Sequence, residues 1–170
     1  MELTLALKLT DETLLRQLHS LLILGDKEFI PPLSSRSSTT QQGLGEAKAQ
    51  GGIDLYFEEM KTQSFVLALE GDTLCGFMSF RINHKGAHID KEKNLYASTT
   101  IVHPDFRGRG LMRAFYTEMI RAFPDTPIYT RTWHENLGHL KVLDRLGFTQ
   151  IAFLENDRGE GIHTVYYCRK

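Results

Sequence analysis

Arg107, Gly108, Arg109, Gly110 and Arg113 crowd three guanidinium groups and two glycines into seven residues. A β-branched run, Thr99, Thr100, Ile101 and Val102, precedes them, broken off by Pro104. After them Leu111, Met112, Phe115, Tyr116, Met119 and Ile120 recur at helical spacing, with Arg113, Thr117, Glu118 and Arg121 on the opposite side and Pro124 as the stop. A strand is therefore aimed at the start of an amphipathic helix. The first turn of a helix leaves backbone N–H groups without intrahelical partners and carries partial positive charge, which suits phosphate. Gly108 and Gly110 allow close backbone approach and positive φ, and the arginines add full charges. The same spacing also fits a tight strand-to-helix turn with solvated arginines.

The run from Val102 to Met112, V-H-P-D-F-R-G-R-G-L-M, resembles the acetyl-CoA pyrophosphate loop of the GNAT superfamily of N-acetyltransferases. That pattern is Gln or Arg, two residues, Gly, one residue, then Gly or Ala; Arg107 and Gly110 fit it. Met112 departs from the last small position, so contact there would use its backbone N–H alone. Asn136, preceding Gly147-Phe148 across a helix, is similar to the family's second segment. The close resemblance covers about Leu95 to Phe148, and the flanks agree only in their order of elements. It implies acetyl-CoA as cosubstrate, contacted by Thr100, Ile101, Val102, Arg107, Gly108, Arg109, Gly110, Leu111, Met112 and Asn136. It implies transfer of the acetyl group to a small-molecule or peptide amine. It also implies that the strand ending at Val102 and the strand from Ile128 diverge, with the pantetheine arm in the gap. Backbone N–H groups near Val102 would then stabilise the oxyanion, because an unpaired strand edge already points them there.

Alternation along the strand places Tyr96, Ser98, Thr100 and Val102 on one face. Where relatives carry a Glu or His base on this strand, it falls at positions matching Tyr96 and Ser98, which are the catalytic candidates. Neither is a good base at neutral pH, since a phenol has a reference pKa of about 10. Each could hold a water that relays the amine's proton, or Tyr96 could protonate the thiolate; a packing role for Tyr96 stands beside these. Many relatives have a Tyr as general acid seven residues after the Asn, and here that position is Leu143. His139 is a substitute candidate, with a structural histidine as the other reading. The missing groups motivate an alternative, a CoA-binding module with little or no turnover.

The remaining chain must position this centre. With 170 residues, 41% of them hydrophobic, it suits one domain spanning 1–170. A net charge of −1 and the lack of an aromatic-interleaved basic stripe argue against nucleic acid. No apolar run is long enough to span a bilayer and no leader pattern opens the sequence, so the expectation is a cytoplasmic protein without membrane partners. A homodimer is left open. Cys75 and Cys168 are far apart and read as free thiols.

Leu3, Leu5, Leu7 and Leu9 alternate with Thr4, Ala6 and Lys8 as a first strand. Thr10 or Asp11 then caps a helix reaching about Leu24, with Gly25 as terminator. Phe29 to Thr40, with Pro31, Pro32 and many hydroxyls, predicts a mobile loop, in which Arg36 could meet an anionic part of a substrate. Gly43 to Gly52 reads as a linker before a short helix around Asp54 to Lys61. Phe65–Leu69 and Leu74–Ile82 flank a Gly71-Asp72 turn as a hairpin. His84, His88 and Asp90 follow in a loop that reads as a solvated turn rather than a metal site. Ile128–Thr132 predicts a strand, His134–Leu146 a helix capped by Gly147, and Thr149–Leu154 with Ile162–Cys168 a terminal hairpin. The order β-α-α-β-β-β-α-β-α-β-β resembles the GNAT fold, an α/β (α+β) arrangement with a mixed, mostly antiparallel sheet of about seven strands and helices on both faces.

Overall fold

The structure is a computed structural model that describes residues 1–48 and 51–170. Ala49 and Gln50, part of the expected Gly43 to Gly52 linker, lie outside the described residues. The described residues form strands β1 (Glu2–Ala6), β2 (Ser64–Glu70), β3 (Thr73–Ile82), β4 (Leu95–Val102), β5 (Ile128–Trp133), β6 (Thr149–Leu154) and β7 (Thr164–Arg169). Helices α1 (Glu12–Gly25), α2 (Gly52–Met60), α3 (Leu111–Ala122) and α4 (Leu137–Arg145) complete the order expected from the sequence.

The strands make one sheet in the order β1-β2-β3-β4-β5-β7-β6, antiparallel throughout except for β4 and β5. Both faces are covered. Leu111, Phe115, Tyr116 and Met119 of α3, with Leu143 of α4, bury against Val66, Met78, Phe80 and Leu95 on one side. Leu18, Leu21 and Leu22 of α1, with Tyr56 and Met60 of α2, bury against Phe65, Leu67, Phe77 and Ile101 on the other. These are the helical stripes of period 3.6 meeting alternate strand positions, and burial of such side chains is the main stabilising contribution, about 1.5–3 kcal/mol for each large one. Asp11 is the cap of α1, accepting from the Leu14 N–H at 2.9 Å.

Local differences have local causes. β1 ends at Ala6, and Leu7 is exposed, because pairing with β2 stops at the Ala6 and Phe65 partners. Residues 29–40, expected to be mobile, are tied down: Leu33, Arg36 and Thr39 are buried, and the Asp26 carboxylate accepts from both the N–H and the hydroxyl of Ser34 at 2.7 Å. Leu44 is fully buried in what was expected to be linker, and the Gly45 N–H bonds the Asp157 carbonyl at 2.6 Å.

The feature that matters most for function is where the sheet splits. β4 and β5 pair in parallel only through Leu95 to Ala97 and Ile128 to Thr130. Beyond that point Thr99 to Val102 keeps its pairing with β3, and Arg131 to Trp133 keeps its pairing with β7. Against β3, Thr99 faces Ser79 while Ala97 faces Phe80, which leaves Ser98 as an extra residue, a β-bulge at the fork. The fork opens a wedge between two strand edges.

Candidate active site

The wedge is the floor of a cleft of about 620 Å³. Ala97, Ser98, Thr100, Ile101 and Val102 line one edge, and Thr130, Arg131, Thr132 and Trp133 line the other. Gly108, Gly110, Leu111, Met112 and Arg113 close one end. Ladder alternation fixes what β4 offers to the wedge. His103 N–H bonds the Cys75 carbonyl on β3, so Ile101 and Thr99 also direct their backbone groups to β3, and the N–H groups of Thr100 and Val102 face the cleft.

At the end of the cleft, Gly108 and Gly110 have φ of 74° and 76°, in the left-handed region that glycine enters without a Cβ penalty. Gly110 is the N-cap of α3 and no side chain caps the helix, so the first-turn N–H groups of Leu111, Met112 and Arg113 point outward without intrahelical partners. An anion fits this end on charge and on space, since a Cβ built at either glycine meets no protein atom within 4 Å.

The arginines of the loop divide. Arg113 and Arg107 line the cleft, but Arg107 is engaged: its Nε donates to the Val102 carbonyl at 3.0 Å and its Nη2 to both carboxylate oxygens of Glu28 at 3.0 and 2.8 Å. Arg109, expected among the cofactor contacts, does not line the cleft. It stacks over Phe106 at 4.9 Å and reaches towards Glu70 on the far side. Asn136 precedes α4 at the cleft wall, with its Nδ2 donating to Thr132 Oγ1 at 2.9 Å.

The catalytic candidates separate as well. Ser98 lines the cleft, donating to Gln63 Oε1 at 2.5 Å, and Gln63 in turn donates to Thr39 Oγ1 at 3.0 Å. Thr39 is held by Arg81 and Glu59, which pair at 2.6 Å. Tyr96 does not share the face of Thr100 and Val102 as regular alternation requires. The bulge at Ser98 inverts the phase, so that Ala97 and Val102, five residues apart, pack in one cluster while Tyr96 packs with Tyr129 and Cys168 in another. Its ring lies 5.0 Å from that of His84, and burial pushes its phenol up to about 12. Tyr96 is thus a neutral phenol outside the cleft lining.

Leu143 is fully buried, and His139 lines the cleft with its Nε2 2.8 Å from the Tyr116 hydroxyl. Desolvation lowers His139 to about 4, which leaves it neutral at physiological pH and a poor proton source. His84, His88 and Asp90 lie against three different aromatic partners, Tyr96, Tyr166 and Tyr129.

Two lining arginines escaped the sequence reading, Arg131 and Arg158. Arg131 sits in the middle of I-Y-T-R-T-W, a strand otherwise without charge, and that isolation was the available signal. Arg158 lies in the polar turn before β7, where nothing distinguished it from a solvated surface residue. With Arg36 they surround one side of the cleft. Arg36 and Arg158 are 5% and 6% exposed.

The model of the Acetyltransferase (GNAT) family matches residues 34–148, and the chain belongs to that family. Solved structures share the fold. Aminoglycoside 6'-N-acetyltransferase from Enterococcus faecium aligns over 99% of this chain and 96% of its own, with a TM-score of 0.68 and 14% identity. Aminoglycoside 6'-acetyltransferase type Ii aligns over 100% and 97%, with a TM-score of 0.70 and 17% identity. An aminoglycoside 6'-N-acetyltransferase complexed with coenzyme A aligns over 99% and 96%, with a TM-score of 0.69 and 14% identity. No curated protein matches the chain. Among the described residues, no helix is long and apolar enough to cross a membrane.

Proposed function

We propose that this protein transfers an acetyl group from acetyl-CoA to a primary amine. The observation that carries the reading is the fork between β4 and β5, which ends at an uncapped helix N-terminus. Acetyl-CoA supplies the thioester carbonyl that an amine attacks. The first-turn N–H groups of α3, with Gly108, Gly110 and Arg113, hold the pyrophosphate, and the free edge of β4 takes the place of a strand partner for the pantetheine arm. The N–H groups of Thr100 and Val102, already aimed into the cleft, hold negative charge that develops on the carbonyl oxygen.

Proton movement is the less elaborate half of this site. Ser98 donates to Gln63 and can accept from the Ser79 hydroxyl at 3.1 Å, so one acceptor position remains, suited to orienting a water or the incoming amine. His139, the substitute candidate for the acid missing at Leu143, is held neutral by burial. The site therefore relies on positioning and backbone donors more than on a matched acid and base.

Two measurements test this. Acetyl-CoA at about a hundred times its dissociation constant should stabilise the fold by roughly 2.7 kcal/mol. Thiol release from acetyl-CoA should then appear with a panel of amines. Stabilisation without thiol release would leave a CoA-binding module, and neither effect would remove the reading altogether.

A further inference from the structure

Three guanidinium groups line the cleft, and none has a carboxylate partner among the described residues. Arg36 donates from Nε and Nη2 to the Pro31 carbonyl at 3.2 and 2.9 Å. Arg158 donates from Nη1 to the Ile30 carbonyl at 2.7 Å and from Nε to Thr164 Oγ1 at 2.9 Å. Arg131 donates only weakly, from Nη1 to the Tyr166 hydroxyl at 3.4 Å, and its Nη2 is sealed from solvent with no partner at all. Each guanidinium thus keeps an Nη group that no described protein atom accepts; those of Arg36 and Arg158 are not sealed, and Arg131 must turn to present its own to a ligand. Aromatic rings hold two of them in place, Phe29 under Arg36 and Trp133 under Arg158, both at 5.8 Å, and the two rings meet edge to face at 6.4 Å.

A cluster of this kind is costly without a counter-ion. Burying a guanidinium unpaired is unfavourable, and three close together add mutual repulsion. Arg158 records both effects: burial, then Arg36 and Arg131, push it down to about 9. Elsewhere an inward arginine has a carboxylate partner, as Arg81 pairs with Glu59 at 2.6 Å, although its Nε is buried without a hydrogen-bond partner. Among the described residues Glu28 is the one carboxylate residue lining the cleft, and it is engaged with Arg107. A ligand in the cleft can supply that counter-ion.

Resting on the acetyl-transfer reading, we infer that the acceptor is an amine that also carries a carboxylate, bound through Arg131 with Arg36 and Arg158 while its amine faces Ser98 and the β4 edge. A planar guanidinium fork matches a carboxylate in two parallel hydrogen bonds. The same three positive charges repel polyamines and other polycations.

The test compares matched acceptors with acetyl-CoA as donor: amino acids, their carboxamides, the corresponding aminoalkylphosphonates, spermidine and an aminoglycoside. The expected result is a kcat/KM for the amino acid roughly a hundredfold or more above that of its carboxamide, because an unmatched buried donor is heavily penalised. Arg131→Gln should reduce that ratio below about tenfold, and Arg131→Lys should restore part of it. Arg131→Gln should also melt no lower than the parent, since it removes a buried cation lacking a partner, and it should keep the melting shift produced by CoA. Preference for the phosphonate over the carboxylate would replace the carboxylate assignment with another anion. Equal rates for acid and amide, or preference for spermidine or the aminoglycoside, would overturn the inference while leaving acetyl transfer intact. If no acceptor turns over, melting in the presence of CoA decides. A saturable shift with the amino acid, absent with its carboxamide and in Arg131→Gln, supports the anion site; no shift with any acceptor overturns it.

Discussion

Ser98 and Tyr96 are two residues apart in β4, and one inserted residue gives them different surroundings. Ser98 is the bulge and faces the cleft, whereas Tyr96 packs behind the strand against His84. Removing the Ser98 hydroxyl takes away one acceptor for a water or amine in the reacting region, while removing the Tyr96 hydroxyl takes away a group outside the cleft lining. Ser98→Ala should therefore lower kcat about tenfold with little change in CoA binding, the rate equivalent of one hydrogen bond of about 1.4 kcal/mol. Tyr96→Phe should keep turnover within about threefold, well short of the factor of ~100 or more that general acid–base groups supply. Steady-state kinetics of the two variants decide the point; a larger loss for Tyr96→Phe than for Ser98→Ala would return the phenol to the chemistry.

The loop into α3 combines two demands on glycine, conformation and room for a ligand, and the hairpin turn between β2 and β3 supplies a control for the first. Gly110 and Gly71 both have positive φ, 76° and 59°, and neither has a protein atom within 4 Å of an added Cβ. Alanine at either position should cost about 1–2 kcal/mol of stability through the left-handed backbone alone. Only Gly110 lines the cleft, so Gly110→Ala should also weaken CoA binding by about tenfold or more, while Gly71→Ala leaves it unchanged. Denaturant melts paired with CoA titrations would separate the two contributions, and equal affinities would mean that the glycine serves the turn alone. At this scale the sequence was most readable. Period, caps and breakers recovered every strand and helix in order, because each is a local pattern with a local cause. What alternation could not reveal was the bulge at Ser98, which depends on pairing with Ser79 and Phe80 on β3. Nor could it reveal that Arg36, Arg131 and Arg158, separated by up to 122 residues, meet in one cleft. Such convergence is a property of the sheet order and of a turn folding back over the strands, and neither is written in the neighbourhood of any one arginine.

The whole molecule couples the cleft to stability through the wall between α3 and α4. Tyr116 and His139 join these helices in the core, stacked with ring centroids 5.8 Å apart and hydrogen-bonded at 2.8 Å, and α4 is otherwise short. His139 is neutral in the folded protein down to about pH 4, because burial opposes its charge, whereas in the unfolded chain it takes up a proton near its ordinary value of 6.5. Between those two values the unfolded state binds more protons than the folded one. Stability therefore falls as pH drops from about 6.5 towards about 4, by up to about 3 kcal/mol from this residue, and the loss is complete below the lower value. His139→Gln keeps a hydrogen-bonding group near the Tyr116 hydroxyl without a titrating ring. On acidification from pH 7 to pH 4.5 the parent should thus lose more stability than the variant, by up to about 3 kcal/mol. Carboxylates elsewhere titrate alike in both and cancel in the difference. Urea melts of parent and variant across this range measure it directly: a parent curve that falls more steeply than the variant's as pH drops matches a buried neutral imidazole, and curves that stay parallel would mean that the ring is reached by solvent and that the wall between α3 and α4 opens in the native state.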